Sequence, residues 1–406
     1  MNDDLSRLAI FGGAPTFPKP LHVGRPNIGN HQRLLSRISD ILERRWLSNN
    51  GPCVQELERE IAEYVGVKHC IAICNATVAL EIVIRALGLS GEVIVPSFTF
   101  IATAHALQWQ HVKPVFCDVD PKTHNLDPKR VAQAVTSQTT GIIGVHLWGR
   151  ACDVAALSEI AAAHDLKLIF DAAHAFGCSY KNRMIGSFGD VEVFSFHATK
   201  FFNSFEGGAV VTNNDELARR IRLMMNFGFA GYDEVVELGT NGKMSEISAA
   251  AALENLLSLT DFINANRANY QQYRGELARI AGLSLLGFDE EEKNNYQYIV
   301  VEVDESTTHL SRDQLVEILW AENVLARRYF YPGCHRMEPY RSLFPAAAAV
   351  LPETEKLVQR VMVLPTGTAV NSEDITTVCD IVETVVRNGA EVRDRLERRQ
   401  SGGATK

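Results

Sequence analysis

The chain has 406 residues and a mass of 45.0 kDa, enough for two lobes with separate cores. Apolar residues make up 46% and charged residues 22%, which excludes long disordered stretches. A formal charge of -9 and a pI near 5.8 exclude the broad positive field that grips a polynucleotide, although local cations can still hold a single nucleotide.

In chain order, residues 1–50 read as an N-terminal arm. Their opening, MNDDLSRLAIFGG, has no long apolar core and is unlike a secretory leader. No run of about 18 apolar residues marks a membrane span anywhere, and a cytoplasmic protein is expected. Residues 51–243 alternate short apolar runs with amphipathic helical stretches. The runs are CIAIC, EVIVP, PVFCDV, TGIIGVH, LKLIFDA, VEVFSFH and GGAVVTN. Near-continuous apolar strands separated by helices predict an α/β domain with a large, mostly parallel sheet covered on both faces. Ligands of such sheets bind beyond the carboxyl ends of the strands. Residues 244–282 read as one long connecting helix, with room for a kink, and 283–390 as a smaller α+β domain. The charged stretch 391–406 reads as a frayed, flexible tail. The eight cysteines are scattered, form no CxxC pair and read as buried thiols.

Several residues just past the apolar runs can carry chemistry. Lys200, in FSFHATKFFNSFEGGAVV, is flanked in sequence by Phe196, Phe201 and Phe202. Partial desolvation lowers a lysine pKa and favours a neutral amine, which can form a Schiff base with an aldehyde cofactor. Asp171 ends the strand-like run in LIFDAAHAFG. A carboxylate there is costly unless it meets a cation, such as the protonated nitrogen of a pyridine ring, or caps a helix. His174 can reach the phenolic oxygen of such a ring or fill the core. Asn75, Ala76 and Thr77 lie between a strand and a helix, where free N–H groups suit a phosphate; Thr77 is equally a plain N-cap. Phe100 can stack on a flat ring or pack in the core, and Ser195 can add a hydroxyl to a phosphate cup. No GxxxxGK[ST] loop occurs, and no GxGxxG follows the first strand. A nicotinamide-dependent sugar-nucleotide dehydrogenase or epimerase is therefore a distant alternative. No metal site is expected.

LIFDAAHAFG, FSFHATK, EGGAVVTN and GTNGKMSEISAA resemble, in order and spacing, the DegT/DnrJ/EryC1/StrS sugar aminotransferases. CNAT, HLWGR, NFGF and YPGCH resemble the branch acting at C4 of a TDP-linked keto sugar. The resemblance implies the fold-type I architecture of pyridoxal 5′-phosphate (PLP) enzymes, like that of aspartate aminotransferase. It places Lys200 as the Schiff-base lysine and Asp171 as partner of the pyridine nitrogen. His174, Ala76, Thr77, Phe100 and Ser195 become cofactor contacts, and Asn241 reaches the phosphate from a neighbouring subunit, so a homodimer with shared sites is implied. Lys200 itself separates this chain from the dehydratase branch, which carries His there. The implied reaction converts TDP-4-keto-6-deoxy-D-glucose to the 4-amino-4,6-dideoxy sugar with L-glutamate as donor, through pyridoxamine phosphate, releasing 2-oxoglutarate. A 3-aminotransferase acting on a 3-keto isomer is the alternative. Candidate substrate contacts are His146, Trp148, Asn226, Lys243, Arg328, Tyr331 and His335.

Overall fold

The computed structural model describes residues 3–403. Its centre is a seven-stranded sheet. In chain order the strands are β1 (His69–Ile73), β2 (Glu92–Pro96), β3 (Lys113–Cys117), β4 (Thr139–Val145), β5 (Lys167–Asp171), β6 (Val191–Ser195) and β7 (Gly208–Thr212). They lie in the order β1-β7-β6-β5-β4-β2-β3, and β7 alone runs against its neighbours. This is the α/β fold expected from the sequence.

Successive strand residues point to opposite faces, and both faces are apolar. Leu168 and Phe170 feed one core with the helices Pro52–Val65, Val154–Ala163 and Glu246–Leu257, while Ile169 feeds the other with the helices Ala76–Ala86 and Asp215–Met224. Each fully buried side chain of this size contributes about 1.5–3 kcal/mol relative to exposure. A buried carboxylate joins two of the helices: Glu246 accepts from the N–H groups of Cys53 and Val54, both at 2.9 Å, at the start of Pro52–Val65.

The expected single connecting helix is two, Glu246–Leu257 and Leu259–Leu277, broken at Ser258 (φ -102°, ψ 6°). The break has a packing reason. The first helix is buried against the large domain, whereas Tyr270, Tyr273 and Leu277 of the second enter a separate core. That core covers the antiparallel sheet of β8 (Leu283–Leu285), β9 (Ile299–Val303) and β10 (Val361–Leu364). The arm is divided as well: Leu5, Leu8, Ile10 and Phe17 join the small-domain core, and the helix His31–Arg44 lies against Glu246–Leu257.

The expected frayed tail is instead helical through Gly389–Gly403. Val392 and Leu396, spaced i, i+4, bury one stripe against the small-domain core, and Arg395 beside them lies over the Phe11 ring at 5.6 Å. Residues 404–406 of that tail, and 1–2 of the arm, lie outside the described residues. All eight cysteines are free thiols. Among the described residues, no helix is long and apolar enough to cross a membrane, and no cluster suits a metal ion.

Candidate active site

The carboxyl ends of β1, β5 and β6 bring the expected residues to one edge of the sheet. Asp171 is the last residue of β5 and is buried. Its Oδ2 accepts from Thr103 Oγ1 at 2.8 Å and its Oδ1 from the Ala173 N–H at 3.1 Å. Burial raises its pKa, opposed by those two hydrogen bonds and by the charge of Lys200.

Lys200 sits in the turn after β6, its N–H donating to the His197 carbonyl at 2.8 Å. Its Nζ lies 3.4 Å from the Tyr298 hydroxyl. Burial pushes the ammonium down to about 8, and Asp171 opposes the shift. The flanking phenylalanines are all buried. Phe196 and Phe202 pack on Phe176 inside the large-domain core, and Phe201 joins the same cluster. The Tyr298 hydroxyl meets the amine, the charges of Lys200 and Asp171 act on one another, and that of Lys200 also acts on His174.

The phosphate turn forms as a helix start. Asn75 caps the helix Ala76–Ala86 by accepting from the Val78 N–H at 2.9 Å, which leaves the first-turn N–H groups of Ala76 and Thr77 without an intrahelical partner. Gly208 lets this helix end approach the sheet, since a Cβ there would lie 2.9 Å from Ala76 N and 2.7 Å from the Phe194 carbonyl. Ser195 is the register partner of the same glycine across β6 and β7. The start of this helix and Ser195 therefore both lie beside Gly208.

His174 is buried, and burial with the Lys200 charge holds its pKa well below the ordinary imidazole range. Phe100 lies past the end of β2, exposed, on a cleft of about 510 Å³ shared with Trp320, Arg327, Arg328 and Tyr331. Arg328 pairs with Asp313 at 3.2 Å and lies over the Tyr331 ring at 5.1 Å. On the far side of the phosphate turn, Lys243 Nζ donates to Asn226 Oδ1 at 3.1 Å, and Asn226 bridges to Asn241 through the backbone. Gly242 accepts from the Cys74 N–H at 2.8 Å, which fixes this strip beside the turn.

Three expected substrate contacts are placed elsewhere. His146 is fully buried, stacked on Phe170 at 4.6 Å, with Nδ1 accepting from the Cys152 N–H at 3.0 Å. Its Nε2 lies 3.3 Å from Glu192 Oε2, too poorly aligned for a hydrogen bond. His335 is buried between Ser97 Oγ, 2.6 Å from Nδ1, and the Glu355 carboxylate on Nε2. Trp148 is fully buried and packs behind His174. A polar or aromatic residue just past a strand can face core, domain junction or cleft, and sequence spacing does not separate the three.

Conversely, the structure adds Thr103, Asn295, Gln297 and Tyr298. Asn295 Nδ2 donates to the His174 carbonyl at 2.8 Å, and Gln297 Oε1 accepts from the Phe201 N–H at 3.0 Å. The small-domain segment 295–298 thus ties down both the loop of His174 and that of Phe201. In sequence it reads only as the approach to a strand.

A buried amine of lowered pKa, a buried carboxylate and a helix start aligned for an anion together define an enzyme of the aminotransferase class. The chain belongs to the DegT/DnrJ/EryC1/StrS aminotransferase family, which it matches over residues 30–383. It is 36% identical over 375 residues to a dTDP-4-amino-4,6-dideoxy-D-glucose transaminase of Shigella dysenteriae, covering 92% of this chain and 100% of that protein. The solved structure of DesI in the presence of its TDP-sugar product is 49% identical, with a TM-score of 0.92, covering 97% of this chain and 100% of that one. DesV of S. venezuelae, solved with a ketimine intermediate, is 30% identical with a TM-score of 0.82, covering 87% and 94% of the two chains.

Proposed function

We propose that this chain is a PLP-dependent transaminase that moves the amino group of L-glutamate to C4 of TDP-4-keto-6-deoxy-D-glucose. The product is TDP-4-amino-4,6-dideoxy-D-glucose, an intermediate for a natural product or a surface glycan. The observation that carries the reading is the convergence of Lys200, Asp171 and the Ala76–Thr77 helix start on one strand-end edge. The similarity to the Shigella dysenteriae transaminase and to DesI supports the substrate.

The donor set fits PLP. When bound, the cofactor supplies an aldehyde for the lysine and an electron-accepting ring. Ala76, Thr77 and Ser195 would hold its phosphate, and Phe100 would stack on its ring. Asp171 would hold a proton at the ring nitrogen: burial raises its basicity, and the bond from Thr103 fixes the orientation of its carboxylate. Lys200 Nζ, once freed, takes the proton from the α-carbon of glutamate. In the second half it delivers a proton to the sugar carbon, and the face from which it does so sets the stereochemistry. Tyr298 steadies Nζ between these tasks.

The sugar nucleotide is assigned to the cleft beside Phe100, with Arg328 and Tyr331 at its wall. Asn226, Lys243 and Asn241 complete the site from a second copy of the chain. The segment between Asn226 and Asn241 supports that role, because it exposes Phe227, Phe229, Tyr232, Val236 and Leu238.

Two separable halves demand ping-pong kinetics. With L-glutamate alone, the PLP-loaded enzyme should release one 2-oxoglutarate per site and lose its visible absorption. Release only when the keto sugar is present too would refute a two-stroke mechanism.

A further inference from the structure

His174 makes a hydrogen bond that fixes its chemistry. Its Nδ1 accepts from the Trp148 backbone N–H at 3.2 Å. A backbone N–H can only donate, so Nδ1 carries no proton and the ring of a neutral imidazole must carry it on Nε2. No hydrogen bond to Nε2 is formed among the described residues, so this N–H is left to a ligand.

The same logic repeats one layer back. The Trp148 indole N–H donates to His124 Nδ1 at 3.1 Å, so His124 is also protonated on Nε2, which lies 3.0 Å from Glu302 Oε1. Arg360 Nε, 2.8 Å from Glu302 Oε2, anchors the far end. The chain of contacts runs from the small-domain strand β9 through the large domain to the active site. Both Trp148 and His124 have φ of +63°, a left-handed conformation that L residues adopt at a cost. Two such residues in one hydrogen-bonded chain indicate that their geometry is over-determined. The Trp148 ring, fully buried, is also stacked on Phe330 at 5.2 Å and packed edge-on to Tyr298 at 5.4 Å.

We propose that the Trp148 indole, His124 and Glu302 are positioning groups: they hold the Trp148 backbone N–H against His174 Nδ1, which keeps His174 an Nε2–H donor aimed at the phenolic oxygen of the bound cofactor. The second half of this statement rests on the PLP reading; the first does not. A donor on that oxygen stabilises its anion, so the imine nitrogen beside it releases its proton at lower pH. Glu302 accepts from His124 Nε2 and so holds the ring that anchors the Trp148 indole.

Two measurements test it. In cofactor-free protein labelled with nitrogen-15 histidine, two-bond proton–nitrogen spectra assigned with His174→Gln should show His174 neutral with its proton on Nε2. A proton on Nδ1, or a doubly protonated ring at neutral pH, overturns the proposal whatever the protein catalyses. In PLP-loaded protein, Trp148→Phe keeps the backbone N–H but frees its turn from His124, so the pH midpoint of the visible band should rise, by at most about one unit, the size expected when a hydrogen bond to a charged oxygen is lost outright. Glu302→Gln, which keeps an acceptor for His124, should leave the midpoint at the wild-type value. Equal midpoints in wild type and Trp148→Phe overturn the proposal. A wild-type protein that forms no visible band with PLP refutes the cofactor reading instead, and leaves the histidine spectra to decide the tautomer.

Discussion

Lys200→Ala is expected to abolish turnover, lowering kcat by at least about 10³-fold, while the fold persists. The amine serves both halves of the proposed reaction, and nothing else near it can replace a proton carrier. Tyr298, whose hydroxyl is 3.4 Å away, is pushed far above its usual range by burial and remains a phenol at neutral pH. Removing the side chain takes away a partly desolvated charge, so folding stability should change little or improve. The same lysine makes a pH prediction for the wild type. Its pKa of about 8 lies below the ordinary lysine value. The neutral, nucleophilic form therefore dominates above pH 8 and falls away below it. The rate at which cofactor-free protein captures PLP should rise by about tenfold per pH unit below 8, and level off above. Stopped-flow absorbance reads both effects. Wild-type turnover in Lys200→Ala would remove the lysine from the mechanism.

Asp171→Asn should retain the cofactor but lose most of the activity. The asparagine keeps the volume; its one oxygen can still accept from the Ala173 N–H while its amide nitrogen donates to the Thr103 hydroxyl, so the site stays assembled. It cannot hold a proton on the ring nitrogen, and the carbanion shared by the two halves loses its electron sink. Breaking a buried charge pair costs about 3–5 kcal/mol, which corresponds to a fall in kcat of roughly 10²–10⁴-fold. Equilibrium dialysis of PLP and steady-state kinetics separate binding from turnover. An unchanged kcat would mean that the ring nitrogen needs no partner here.

The parts of this site visible in sequence are those that depend on chain-local geometry. Each strand is a short apolar run, and the residues in the first few positions after it fall at the carboxyl edge of the sheet. Lys200, Asp171, His174, Ala76, Thr77 and Ser195 were all legible for that reason. The contacts that sequence could not give are long-range. Tyr298 meets Lys200 across 98 positions and Asn295 meets His174 across 121, because the small domain folds its first segment back onto the large one. Residues past a strand were also ambiguous in direction. Val145 ends β4, yet His146 turns under the sheet towards Glu192 and Trp148 turns back behind His174. The terminal helix was hidden differently: EVRDRLERR is dominated by charge, and only the i, i+4 pair of Val392 and Leu396 reveals its buried stripe.

The central claim is transamination at C4 of the sugar nucleotide, and the structure of the product tests it most directly. Incubation with TDP-4-keto-6-deoxy-D-glucose, L-glutamate and PLP should give one product, in which NMR couplings place an equatorial amine at C4. No reaction with this sugar, and consumption of the 3-keto isomer instead, would contradict the assignment while leaving the cofactor chemistry in place.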